Sequence, residues 1–186
     1  MRYITGILIA IGLVVLMIIL IVKAFTGGGG EPEPRQIDLN SYASTSAVMR
    51  LTVDGPVNAN QEHSQVRVTV GRDETVLDII KGYEDKVIST KSFTNNQASY
   101  TQFLHALNVA GFTSGNTDPN VRDERGYCPV GQRFIFEAIS GGSSVMRWWK
   151  TSCGEGNFKG RSDVIRNLFK AQVPNYNELT LETHLY

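Results

Sequence analysis

No charge of one sign prevails in this chain: 18 Lys and Arg stand against 18 Asp and Glu over 186 residues, and only 19% of positions are charged. A protein that holds nucleic acid by neutralising phosphates needs a basic excess or stripe. Neither is present, so nucleic acid is not an expected partner. Histidine is equally scarce, with three residues scattered singly at His63, His105 and His184. With only two cysteines beside them, no set stands at metal-ligand spacing, and no metal or cofactor is expected. Catalytic motifs are missing too: there is no HExxH, nucleophile elbow, SxxK context or Ser-His-Asp order. The adjacent acids Asp73-Glu74, Glu84-Asp85 and Asp123-Glu124 fall in turns, where carboxylates are usually solvated. His105, on the polar side of a helical stripe, reads as a surface residue.

One stretch lacks charge altogether. Ile4 to Val22 is 19 residues with Thr5 as the only polar side chain. As a helix it would reach roughly 28 Å, close to the ~30 Å hydrocarbon core of a bilayer. A cleaved secretory signal is the rival reading, with Val22-Lys23-Ala24 as the cleavage site. Signals carry apolar runs of about 7–15 residues; this run is longer and ends on Lys23, so an uncleaved anchor over 1–25 is the expectation. A type IV pilin would show a basic leader, a Gly-Phe processing site and an early glutamate, and none is present. Positive charge hardly sets the direction, since Arg2 lies on one side and Lys23 and Arg35 on the other. The two-cysteine polar domain that follows decides it: N-terminus inside, the rest outside, as a single-pass protein of the cell membrane. Residues 26–36, with Gly27–Gly30 and then Glu31-Pro32-Glu33-Pro34, read as a flexible and then extended linker. That four-glycine run lacks the Lys-Ser/Thr ending of a phosphate loop.

Residues 37–186 read as one α+β domain: an antiparallel sheet with two helices packed on one face. Alternation predicts strands at Met49–Val53, Val66–Val70 and Lys86–Phe93, while Thr75–Lys81 suits either a strand or a helical turn. Tyr100, Phe103, Leu104 and Leu107 lie on one face of a helix over 97–110, capped by Asn96 and Gly111. Thr113–Gly126 reads as a long exposed loop. Arg133–Ile139 and Ser144–Thr151 form a hairpin on Gly141-Gly142. Ser162 is expected to cap a last helix carrying Ile165, Leu168, Phe169 and Gln172, stopped by Pro174. Leu179, Leu181 and Leu185 alternate, as an added edge strand would.

Cys128 and Cys153 flank the two hairpin arms, so a disulfide between them is geometrically reasonable and suits an extracytoplasmic domain. Trp148 and Trp149 must point to opposite faces of their strand. Pairing Ser140 with Ser143 puts Trp149 with Phe134, Phe136 and Ala138 on the core side. Trp148 then joins Arg133 and Lys150 on the wetter side, as a candidate binding patch of one aromatic and two cations. Cover by a helix or by the tail is the competing reading for Trp148.

The segments GYEDKVISTKSFTNN, SYTQFLHALNVAGFTSG, RGYCPVGQRFIFEAI, WWKTSCGEG and LFKAQVPNY, behind an N-terminal span, resemble small single-pass membrane-anchored extracytoplasmic proteins of reduced-genome bacteria. The resemblance covers most of residues 1–176. It implies one anchor and one outside domain, and brings no activity and no site residue with it. The expected function is a membrane-tethered, non-catalytic binding module at the cell envelope. Its partners would be the membrane, through residues 4–22, and an envelope protein or polymer. Two alternatives stay open. One is an envelope-acting hydrolase with carboxylates from loops such as Arg122–Arg125. The other is an inhibitor of an external hydrolase that uses the 113–126 loop as a wedge.

Overall fold

The computed structural model describes residues 12–13, 15–17, 37–183 and 185. Among the described residues no helix is long and apolar enough to cross a membrane. Most of the predicted span over 4–22, and the whole of the 26–36 linker, lie outside the described residues, as does His184. The chain divides into two units after Gln36, and the second, residues 37–186, carries the sheet.

Six strands form one antiparallel sheet: β1 (Val48–Asp54), β2 (Ser64–Val70), β3 (Glu74–Lys81), β4 (Lys86–Thr94), β5 (Arg133–Ser140) and β6 (Ser143–Thr151), in the order β4-β3-β2-β1-β5-β6. Thr75–Lys81 is therefore a strand. Its Leu77 lies opposite Val68 of β2 and is buried, and that long-range pairing selects strand over turn. On one sheet face Leu51 stands between Val68 and Phe136, and Val53 between Val66 and Phe134.

This apolar face is covered by α1 (Gln97–Val109) and α2 (Ser162–Lys170). In α1 the buried residues are Tyr100, Phe103, Leu104 and Leu107, and the Asn96 side chain accepts from Ser99 N at the cap. Burying each such side chain stabilises by roughly 1.5–3 kcal/mol. Phe103 meets Phe169 of α2 edge-on, with centroids 5.1 Å apart. Tyr100 donates its hydroxyl to Ala47 O at 2.7 Å, which fastens the helix to the start of β1. Burial pushes the Tyr100 phenol well above its ordinary range.

Four expectations need correction. The β5–β6 hairpin does turn on Gly141-Gly142, both at positive φ (59° and 79°). However, Ala138 pairs with Met146 and Ile139 with Ser144, so Val145 is an extra residue in β6. Such a bulge exchanges the two faces of everything beyond it. Trp148 thus lies opposite Phe136 on the helix side, and Trp149 opposite Ile135 on the other. Second, Ser162 caps nothing: Arg161 holds the N-cap position and no side chain bonds there. Third, α2 ends at Lys170, before Pro174 can act. Fourth, the tail adds no strand among the described residues. Asn175 at φ 55° turns the chain into a short helix α3 (Tyr176–Leu179) and a 3-10 turn at Leu181–Thr183. Thr180 and Thr183 bond their hydroxyls back to nearby carbonyls there, a competing local bond of the kind that disfavours strands.

The 113–131 segment is anchored although many of its side chains are exposed. Gly115 lies against the Trp148 indole on the helix side, where a Cβ would fall 2.3 Å from Cδ2. The chain then rounds the β6 edge. On the far face Trp149 Nε1 donates to Val121 O at 2.9 Å, and the Tyr127 ring lies 4.9 Å from that of Trp149. Adjacent tryptophans, necessarily on opposite faces, are gripped by one strap.

Candidate binding groove

Cys128 and Cys153 form a disulfide, with Cα atoms 5.8 Å apart. It ties the segment before β5 to the one after β6. Glu155 lies near both sulfurs, but sulfurs joined to each other are not thiolate ligands, so this cluster is not a metal site.

Of the three residues predicted as one patch, Trp148 and Lys150 share the helix side of β6, and Arg133 does not join them. Arg133 follows the odd-numbered side of β5 onto the face away from the helices and is only 5% exposed. Its Nε lies 2.7 Å from Asp54 Oδ2, and its Nη2 donates to Gly55 O at 2.8 Å. Trp148 is half-buried under Gly115. Lys150, opposite Phe134, is on the helix side and there borders a groove.

That groove runs between α2 and the open ends of β5 and β6. It has two compartments, of about 490 and 610 Å³, that share Gln132, Phe134 and Arg166 as their common wall. One extends past Lys150 to Gly154, the other past Lys170 to Leu181. Among the described residues its charge is one-sided: Lys150, Arg161, Arg166 and Lys170 against Asp163 alone. Two of the cations rest on aromatic rings. The Arg166 guanidinium lies 4.1 Å from the centre of the Phe134 ring, and the Lys170 ammonium 5.3 Å from that of Tyr176. Cation–π contact of this kind holds a long side chain extended and keeps its charge. Asp163 also pairs with Arg166, one turn apart on the helix. Sequence reading missed this set. Its one signal was Arg166 and Lys170, at i and i+4 on the polar side of α2.

Two other clusters carry reactive side-chain types. At the end of β1, Asp54 is held between Arg133 and His63, whose Nε2 lies 2.8 Å from Asp54 Oδ1. His63 Nδ1 faces Pro56 O at 3.0 Å. A carbonyl only accepts, so Nδ1 is the ring nitrogen that donates in this network. Burial is the main cause that raises the Asp54 carboxyl above its ordinary range, against the opposite pull of Arg133 and His63. The imidazole is fully buried and stacked on Tyr83 at 4.0 Å, so no substrate reaches it. Nearby, Lys81 Nζ donates to Ser64 Oγ at 2.7 Å. This has the look of a Ser–Lys nucleophile pair, but Ser64 is 2% exposed and bonds the Glu62 carbonyl. Both clusters join strands and loops at one end of the sheet.

The loop carboxylates of the hydrolase alternative are engaged as well. Arg125 bonds Asp123 and holds its carboxyl down to about 2, and Glu124 bonds Arg147 at 2.6 Å. A general acid needs a raised carboxyl, and that of Asp123 is shifted the opposite way.

No protein-family model matches this chain, and no curated protein sequence matches it.

Proposed function

We propose that this chain is a membrane-tethered extracytoplasmic binding domain, held by residues 4–22 with its N-terminus inside. One observation carries the reading: the Cys128–Cys153 disulfide. Such bonds persist in oxidising compartments and are rare in the cytosol, and this one lies in a polar domain preceded by 19 uncharged residues of near-membrane length. The cationic groove supports binding rather than catalysis, since among the described residues it pairs four cations with one acid and offers no two-carboxylate or nucleophile–base arrangement. The 113–131 strap is fastened at Gly115, Val121 and Tyr127, which does not favour a projecting inhibitory wedge.

The test is thiol labelling of intact cells with a membrane-impermeant maleimide. Labelling that appears only after reduction is the expected result. Labelling without reductant, and only after lysis, would put free thiols in the cytoplasm and overturn the proposal.

A further inference from the structure

We propose that the groove along α2 binds a linear anionic glycan, a sugar or polyol chain with a carboxylate or phosphate on successive units. This rests on the extracytoplasmic binding reading and adds the chemistry of the ligand. Charge is the first argument, with Lys150, Arg161, Arg166 and Lys170 facing a space in which Asp163 is the one opposing charge among the described residues. Shape is the second. Two adjoining compartments that share Arg166 as a common wall suit a chain that passes the guanidinium better than one compact anion. Each has a volume in the range of small-ligand pockets.

Depth is the third argument. Phe134 is 4% exposed and the Arg166 side chain 26%, so the central cation is recessed. A bilayer surface cannot follow it down, whereas a thin polymer can. The fourth concerns peptides. An acidic peptide would gain most by adding to a sheet edge, but beside the groove the β6 edge is already taken. Lys150 pairs with Gly156, Phe158 N donates to Trp149 O at 3.0 Å and Thr151 N to Glu155 O at 2.8 Å. What remains for a ligand is cations and hydroxyl or amide groups such as Ser152, Gln132 and Asn177, a set suited to charged sugars.

The experiment uses the full chain in phosphatidylcholine nanodiscs and measures binding of oligogalacturonate, with neutral dextran oligomers, polyglutamate and phosphatidylglycerol vesicles in parallel. Oligogalacturonate should bind, more weakly as salt rises, and dextran should not. Arg166→Gln should weaken binding at least tenfold. Lys150→Gln, at a half-exposed position, should weaken it several-fold. Arg50→Gln, on the opposite sheet face, should leave it unchanged. Absence of oligogalacturonate binding overturns the proposal, as does binding that neither groove variant alters. Polyglutamate or phosphatidylglycerol bound more tightly, in a manner lost in Arg166→Gln, would overturn the glycan and leave the groove as a binding site. Maleimide labelling reports separately on which side of the membrane the domain lies.

Discussion

Among single residues, Asp54 shows how far a side chain can depart from its sequence context. In the sequence it closes a short alternating strand, as an ordinary exposed acid would. In the fold it is the carboxylate that Arg133 and His63 share. Asp54→Ala should cost about 3–5 kcal/mol, the usual loss when one partner of a buried pair is removed, read from denaturant unfolding. The pH dependence has a definite sign. The folded-state carboxyl is raised, so its contribution is fully present below the ordinary carboxyl range and is lost as pH rises through the folded value. Asp54→Asn should remove that part of the pH–stability slope. Asp123 behaves in the opposite way. Its carboxyl, held down to about 2, favours folding above the ordinary range and loses that as pH falls towards 2. It is half-exposed, so the stability change is small, and the test is an NMR titration in which Arg125→Gln moves Asp123 back up. Gly115 carries a steric constraint instead. Gly115→Val puts a side chain into the Trp148 indole and should cost about 1–3 kcal/mol, with a changed near-ultraviolet tryptophan signal.

At the scale of elements, the β5–β6 hairpin is the decisive piece. The turn residues and both arms were legible, because two adjacent glycines between alternating runs form a local signal. The bulge at Val145 was not. It exchanges the two tryptophans, and it is favoured by contacts from the distant strap at Gly115, Val121 and Tyr127. Deleting Val145 would restore the simple register and swap Trp148 with Trp149, so loss of the cooperative unfolding transition is expected by circular dichroism. The sheet edges are guarded in different ways. β6 is partly covered by residues 155–158, whereas β4 is exposed along most of its length and carries Lys86, Lys91 and a register shift near Ile88. Charge and irregularity of that kind discourage edge-to-edge pairing.

For the molecule as a whole, the disulfide joins the two segments that bring the groove wall, the strap and the hairpin to one end of the sheet. Its sequence separation of 25 corresponds to about 3 kcal/mol on the chain-entropy estimate. Cys128→Ser with Cys153→Ser should lower the unfolding midpoint accordingly, and reductant should have the same effect on the unmodified chain and none on the double variant. Local patterns carried the α+β class, the strand positions, α1 with its Asn96 cap and the cysteine pair. Each depends on neighbours within a few residues, through side-chain periods of 2 and 3.6. Tertiary structure alone decided the state of Thr75–Lys81, the faces of Trp148 and Trp149 and the Asp54–His63–Arg133 cluster. The groove belongs with these, because its walls come from Val53, from Gln132 and Phe134, and from segments 150–154, 160–170 and 176–183 with Leu185. The reason is physical. Alternation says that a strand has two sides, but one inserted residue reverses them, and only the packing of remote segments selects where that residue goes. Likewise a charge in sequence has a sign and a spacing, and it acquires partners only when strands distant along the chain are laid side by side.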